Sequence, residues 1–359
     1  MGSFLVKIKS ACIGLFIGLA LSGSAQEVAR DTAIRFFVVP LLSYSSDTRW
    51  GFGAAGIITF RGNPLRSSVT FGALYTQRKQ FLLYFPYQWF SPRGNWRVYG
   101  EAGWYRYLYQ YFGIGNNYPD DFIETYTAQY PRLRVTAARN LSARHLVGLR
   151  YNLDVYRILS SSPGSEVERR ILPGAQGGRS SGFGPVWLYD SRDNQFYPRR
   201  GWFAEAALIG EHRLTASNFK FLRFSVDAAR YWPLGNKMIL ATQVVAQFTG
   251  GNAPFFNLAQ LGGTKRLRGY PDGKYRDRHL LLAQAEWRFP IFWRFKGVLF
   301  AATGTVFGTP GESLRWRPEG GGGLRFEFDK KQQLHLRLDY GVGVGPGNSG
   351  FYLTFGEAL

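Results

Sequence analysis

Residues 334–340 read LHLRLDY, an unbroken alternation of apolar and polar side chains that indicates the class of fold. Alternate side chains of an extended strand point to opposite faces, so the leucines and the tyrosine share one face, and His335, Arg337 and Asp339 share the other. The central part of residues 219–230 repeats this period of two, because positions 222–228 place arginine, serine and aspartate opposite four apolar residues. Both stretches therefore predict β-strands with one apolar and one charged face.

The length of such segments distinguishes a membrane barrel from a soluble sandwich. They run to about ten residues, the length that a tilted strand needs to cross a bilayer. Strands of soluble sandwiches average about 5–6 residues and turn their charges outward. An arginine on the lipid face costs roughly 2–4 kcal/mol, so the charged faces are expected to line an interior. The fold predicted is all-β, a transmembrane antiparallel β-barrel.

Counting these segments gives about sixteen strands, an even number, as single-chain bacterial barrels require. The approximate bounds are 34–45, 48–60, 66–77, 80–91, 95–107, 125–139, 143–156, 181–190, 201–212, 217–231, 237–249, 278–289, 297–307, 319–328, 333–343 and 349–357. If both termini are periplasmic, the longest connections (108–124, 157–180 and 250–277) all fall on the outer side.

The N-terminus predicts export. Lys7 and Lys9 form a basic region before an apolar core at 11–21, and the small residues up to Ala25 suit a signal-peptide cleavage site. We expect a signal peptide at 1–25 and an outer-membrane β-barrel at 26–359. The alternative is an uncleaved anchor, which needs a longer apolar stretch. Cys12, the single cysteine, lies in the leader, so the mature chain could form no disulfide or thiolate metal site.

The formal net charge of +20 needs an anionic partner or environment. Nucleic acid is not expected for an exported protein. An arginine-lined lumen, or loops that face anionic lipopolysaccharide, accounts better for the excess. The expected surroundings are therefore the outer membrane and its lipopolysaccharide.

Three stretches go beyond general barrel character. Residues 189–202 read YDSRDNQFYPRRGW, residues 261–270 read LGGTKRLRGY, and residues 286–291 read EWRFPI. Together they resemble the bacterial surface antigen superfamily, the BamA/TamA family of outer-membrane barrels. The resemblance covers roughly residues 180–359 with specific motifs, and the first half of the chain only in its strand pattern.

The first stretch is similar to the family's turn between strands eight and nine. Proline and glycine bracket a tight turn, and Asp and Asn side chains cap its backbone donors. The residues that carry this match are Asp190, Arg192, Asp193, Asn194, Pro198 and Gly201. The second stretch is similar to the tip of a long loop between strands eleven and twelve that folds back into the lumen. The tip residues here are Leu267, Arg268, Gly269 and Tyr270.

The resemblance implies that the tip arginine contacts acidic residues on the barrel wall. A buried guanidinium needs such acceptors, since an unpaired buried charge is costly. The family's usual aspartate on strand thirteen is Ala302 in this chain. By strand alternation Glu286 and Asp339 face inward, and we nominate them as the partners of Arg268. The alternative is that Arg268 is only solvated in the channel.

The family inserts or translocates proteins at the outer membrane, and the resemblance implies a similar role with proteins or lipids as clients. The mechanism implied is a lateral seam between the first and last strands. These 359 residues contain none of the POTRA modules with which such proteins dock clients, so a separate periplasmic or lipoprotein partner is expected. Two alternatives remain: an anion-selective or ligand-specific channel, and a structural barrel that anchors a partner.

Catalysis is not expected, and neither is a cofactor or a metal. Residues 178–182 fit the serine-hydrolase pattern G-x-S-x-G around Ser180, but that pattern acts at a strand-turn-helix elbow, and here a glycine-rich loop runs into a strand. The four histidines lie far apart and lack metal-ligand spacing. Aromatic residues between Trp104 and Phe112 are interpreted as an interfacial girdle, with a stacking platform for bases or sugars as the alternative.

Overall fold

The computed structural model describes residues 34–45, 49–60, 67–330 and 333–359. The predicted leader at 1–25 and its cleavage site lie outside these residues. Within the described ranges no helix is long and apolar enough to cross a membrane.

Sixteen strands of the described chain form a single antiparallel sheet in sequence order, in which β11 pairs with β14. The wall strands are β1 (Arg35–Ser45), β2 (Arg49–Thr59), β3 (Ser68–Thr76), β4 (Phe81–Phe90), β5 (Trp96–Tyr111), β6 (Glu124–Asn140), β7 (His145–Ser161), β8 (Gly178–Asp190), β9 (Gly201–Glu211), β10 (Lys220–Pro233), β11 (Ile239–Asn252), β14 (His279–Phe292), β15 (Phe295–Phe307), β16 (Arg317–Asp329), β17 (Leu334–Gly343) and β18 (Ser349–Phe355). Between β11 and β14, the short strands β12 (Ala259–Leu261) and β13 (Tyr275–Asp277) pair with each other as a ribbon. Two 3-10 turns lie at Arg213–Thr215 and Phe255–Asn257.

The alternation seen in the sequence becomes an apolar outside and a charged inside. On β10, Leu222 and Phe224 are exposed on the outer face, whereas Phe221 on the inner face is buried. On β17, Tyr340 is half exposed, whereas Arg337 and Asp339 are almost completely buried. The predicted all-β antiparallel architecture with about sixteen strands is therefore confirmed.

The sheet curls on itself, because residues far apart in the strand order touch. Phe37 of β1 stacks on Phe328 of β16 with ring centroids 4.0 Å apart. In a flat sheet these strands would be separated by about 60 Å at the usual spacing of neighbouring strands. Tyr99 of β5 donates a hydrogen bond of 2.5 Å to Glu205 of β9 across the interior. In the described part of the chain, β1 and β18 are the ends of the sheet and do not pair with each other.

The predicted strand bounds differ from the observed ones mainly at the loop ends of β5 and β7, which continue to Tyr111 and Ser161. The predicted girdle between Trp104 and Phe112 also needs correction. Trp104 faces outward, but Tyr105 and Tyr111 point inward and are buried. They join a cluster of inward aromatic residues on β5, β6, β7 and the long loop: Tyr105, Tyr111, Tyr126, Tyr130, Tyr156, Phe255 and Phe256. Strand parity places the tyrosines at the odd-numbered positions 105–111 on the inner face, where Tyr105 and Tyr111 are buried.

Candidate functional site

The segment between β11 and β14, residues 253–278, folds into the lumen. At its start, the Phe256 ring stacks on Tyr156 of β7 with centroids 3.8 Å apart. Beyond the ribbon, Leu261 and Leu267 are fully buried in an apolar cluster with wall residues Leu280 and Leu282. Burial of these side chains contributes about 1.5–3 kcal/mol for each large residue. The loop is therefore packed against the wall at both ends of its path.

The loop tip, Leu267–Tyr270, lies against a bed of glycines on the last two strands. A Cβ on Gly341 of β17 would lie 2.8 Å from backbone atoms of the tip, closer than real Cβ atoms come. A Cβ on Gly343 of β17 would meet the ring of the tip's tyrosine, and one on Gly350 of β18 would meet a tip carbonyl. Gly269 itself has no room for a Cβ against the β17 backbone. Glycine at these positions permits backbone-to-backbone approach.

Arg268 is fully buried at the centre of this contact. Its Nη1 donates a 2.8 Å hydrogen bond to Asp339 Oδ2 and lies 2.8 Å from Glu286 Oε1. The guanidinium also lies over the ring of Phe300, 3.5 Å from the centroid. The structure thus places the two nominated carboxylates against the tip arginine. Ala302, at the position of the family's usual aspartate, lies in the apolar cluster instead.

The ion pairs continue beyond the tip into a buried network. Glu286 accepts hydrogen bonds from Arg288 Nε (3.0 Å) and Nη2 (2.8 Å). Arg325 donates to Asp339 Oδ1 at 2.5 Å and to Glu357 Oε2 at 2.8 Å. Together with the tip arginine, these contacts join three guanidinium groups and three carboxylates, with side chains at most 2% exposed. The formal charges of these six groups balance, as burial of so many ions requires. A fourth buried guanidinium, that of Arg337, lies 3.5 Å from Asp339.

Two further residues attach the loop to this network. Glu319 of β16 accepts a hydrogen bond from the backbone N–H of Gly269. Arg337 of β17 donates to the carbonyl of Thr264 at 2.9 Å and to Thr354 of β18 at 2.7 Å. Arg337 therefore connects the loop and the last strand through one side chain.

The residues after β18 turn into the lumen. Gly356 has a φ of +76°, and its N–H donates to the carbonyl of His335 at 3.0 Å. This turn places Glu357 beside Arg325. Burial raises the pKa of Glu357, but Arg325 and then Arg288 outweigh that effect, so its pKa lies below the usual range. Glu357 therefore stays ionised and neutralises part of the arginine cluster.

The turn between β8 and β9 is held by its own carboxylate and amide groups. Asp190 binds Arg192 through two hydrogen bonds, of 2.9 and 2.7 Å. Asp193 accepts from the backbone N–H groups of Arg199 and Arg200 at 2.9 and 3.2 Å. Gly201, with a φ of +110°, starts the next strand.

This turn also reaches the buried network. Asn194 accepts hydrogen bonds from the backbone N–H groups of Phe196 and Tyr197, at 2.8 and 2.9 Å, and Pro198 is buried. The Tyr197 ring then packs 4.4 Å from that of His335, under the ammonium group of Lys296. The guanidinium of Arg288 lies 5.5 Å from the centroid of the same ring, so the turn reaches the buried network through the arginine that binds Glu286.

Sequence reasoning missed Arg288, Arg325, Glu319 and Glu357 as members of the site. Arg288 could have been found, because it lies two residues after Glu286 on the same face of one strand. Glu357 could not, because its position depends on the turn at Gly356. Ser180 lies within β8, donates to Glu211 and accepts from Asn257 of the long loop.

Comparison with known proteins identifies the family to which the chain belongs. The model of the Omp85 superfamily domain matches residues 61–358. The chain belongs to the Omp85 superfamily. As an Omp85 chain it is an integral β-barrel of the outer membrane. No curated protein sequence matches it.

Solved structures agree on the Omp85 fold at low sequence identity. BamA from Haemophilus ducreyi lacking POTRA domains 1–3 is similar with a TM-score of 0.57 and 17% identity, covering 91% of this chain and 69% of that one. CdiB from Acinetobacter baumannii has a TM-score of 0.56 and 14% identity, with 89% and 58% covered. CdiB from Escherichia coli has a TM-score of 0.54 and 13% identity, with 92% and 62% covered. The chain thus spans 58–69% of the length of these proteins.

Proposed function

We propose that this Omp85 barrel assists the insertion or translocation of outer-membrane proteins or lipids through the seam between β1 and β18. The observation that carries the proposal is that the first and last strands of the sheet, β1 and β18, do not pair with each other in the described residues. Among the described residues these two strands share no backbone ladder, although the curled sheet brings β1 to β16. A strand edge with unpaired backbone groups is a template for adding another strand.

The buried network supports this mechanism, because it fixes one side of the seam from within. The loop tip lies against Gly350 of β18, and Arg337 binds Thr354 of the same strand. β18 is therefore held on its lumen face. Its backbone edge on the side of β1 remains available to pair with a client strand. Loss of the Arg268 contacts would loosen this edge and reduce insertion.

The proposal includes the nature of the partners. Clients are outer-membrane proteins or lipids, delivered by a separate periplasmic or lipoprotein partner, and lipopolysaccharide surrounds the outer loops. The role is non-enzymatic and needs no cofactor, because strand addition exchanges hydrogen bonds and breaks no covalent bond.

Depletion of the protein, followed by quantitative proteomics of the outer membrane, tests the proposal. Rescue arms carry the wild type, Arg268→Ala, or Arg213→Ala as a matched control on an exposed turn. We expect many barrel proteins to fall together, and only the wild type and Arg213→Ala to restore them. If the amounts of other barrel proteins stay unchanged and a single protein is lost, the result would favour the alternative that this barrel anchors that protein. An unchanged population with steady anion-selective conductance of the purified barrel would favour a channel.

A further inference from the structure

The lumen contains a second feature, separate from the buried network. A cavity of about 590 Å³ lies between the walls of β4–β7 and β9–β11 and the long loop. Its volume falls in the range of small-molecule sites. Five cationic side chains line it, namely Arg134, Arg150, Arg223, Lys265 and Arg266. Three carboxylates line it as well, namely Glu101, Glu205 and Asp227.

Each of the three carboxylates is already bound. Glu205 pairs with Arg150 at 2.8 Å. Glu101 lies 3.5 Å from Arg132, a residue that also pairs with Asp154. Asp227 accepts a hydrogen bond of 2.5 Å from Gln243.

Three of the cations have no such partner. Within the described residues, Arg223, Lys265 and Arg266 have no carboxylate within the 4.0 Å of an ion pair. Arg223 donates to the carbonyl of Asn257 at 2.6 Å, and its buried Nε has no hydrogen-bond partner. Burial, and then the positive charge of Arg337, lower the pKa of Lys265 below its usual range. The excess of positive charge in the cavity follows from its lining, in which five cationic side chains face three carboxylates.

The long loop separates the positively charged cavity from the buried ion-pair network around Arg268. Arg268 is anchored among the carboxylates of β14 and β17, whereas Lys265 and Arg266, just before it in the chain, line the cavity on the other side. Anchoring of the tip therefore holds these two cations in the lumen. Fixed cations at a polar cavity attract an anion.

We propose that this cavity binds a ligand bearing a phosphate monoester or free phosphate group. A carboxylate supplies a single negative charge, whereas a phosphate carries about −1.5 to −2 at neutral pH and several acceptor oxygens. Guanidinium groups such as those of Arg223 and Arg266 bind phosphate through paired N–H donors, and the ammonium of Lys265 adds a point charge. The site goes beyond the proposed insertion role and does not depend on it.

Binding to the purified full chain tests the site. Inorganic phosphate is titrated against the protein in detergent by calorimetry, at constant ionic strength with chloride as the reference anion. In a second arm, the protein is reconstituted into phosphatidylcholine vesicles with or without phosphatidic acid, whose headgroup is a phosphate monoester, and its thermal unfolding is measured. The variants are Lys265→Gln/Arg266→Gln and Arg223→Gln, with the exposed Arg213→Gln as control. Folding of each variant is checked by its migration on unheated gels.

Saturable binding of inorganic phosphate, weakened at least about tenfold in the double variant and in Arg223→Gln but not in Arg213→Gln, supports a soluble ligand. Stabilisation by phosphatidic acid alone, with the same dependence on the variants, supports a lipid headgroup. If neither probe binds, or if folded variants bind as the wild type does, the site is refuted. Because no readout measures client insertion, failure here leaves the proposed function untouched.

Discussion

Replacing Gly341 with alanine tests whether the close contact between the loop tip and β17 stabilises the barrel. The new Cβ would lie 2.8 Å from the carbonyl carbon of Arg268 and from the nitrogen of Gly269. Ordinary Cβ contacts begin near 3.4 Å, so the tip would have to move by about 0.6 Å. The hydrogen bond from Arg268 to Asp339, now 2.8 Å, would approach the limit of hydrogen-bond distance.

Overpacking of this kind costs about 1–3 kcal/mol, and weakening of buried charged hydrogen bonds adds to it. The matched control is Gly250→Ala on β11, where a Cβ meets nothing within 4 Å. There the substitution should be neutral or stabilising by up to about 1 kcal/mol, since alanine restricts the unfolded chain. The two variants should therefore change stability in opposite directions or differ by at least about 1 kcal/mol.

The assay is urea unfolding of the barrel in phospholipid micelles, together with the temperature at which the folded band disappears on gels. We expect Gly341→Ala to unfold at lower urea and lower temperature than the wild type, and Gly250→Ala to match or exceed the wild type. Equal stability of the two variants would refute the close contact between the tip and β17.

Further predictions concern the inward-turned end of the chain and the turn between β8 and β9. Glu357→Gln removes one carboxylate of the buried network and should destabilise the barrel by about 3 kcal/mol in the same unfolding assay. The control Glu168→Gln, at an exposed position, should have no effect. Equal stabilities of the two variants would contradict the network. Because the pKa of Glu357 is lowered in the fold, its contribution is complete above the ordinary carboxyl pKa and is lost as the pH falls through the lowered value. The protection of backbone amides at residues 356–359 against hydrogen exchange, relative to their intrinsic rate at each pH, should therefore fall only below the usual carboxyl range, and a fall near pH 5 would contradict this. Asp193→Ala removes the acceptor of two backbone N–H groups, so the turn should loosen and trypsin should cleave faster at the exposed Arg199 and Arg200. A cleavage rate equal to that of the wild type would contradict this role of Asp193.

The fold was predictable because a single physical constraint acts on every wall strand. Lipid outside and water or charge inside force a period of two, and residues 334–340 show it directly. The same parity placed Glu286 and Asp339 on the inner face. Only the resemblance to a known family linked them to Arg268, because parity gives the face of a strand and not its partner across the lumen.

What could not be predicted depends on curvature and on local turns. Strand parity separates Tyr105 and Tyr111 from the outward Trp104, but the sequence does not say what covers them on the inner face. Their burial depends on Phe255 and Phe256 of a distant loop. Glu357 enters the site only through the left-handed turn at Gly356, and glycine permits such a conformation without requiring it.

The most direct test of the central claim is the rate at which an unfolded outer-membrane barrel protein folds into phospholipid vesicles that contain this protein. Vesicles with the wild type or with Arg213→Ala should accelerate the appearance of the client's folded band over empty vesicles, and Arg268→Ala should lose most of that acceleration. If the client folds at the rate seen in empty vesicles whichever form is present, the barrel does not insert proteins through its seam.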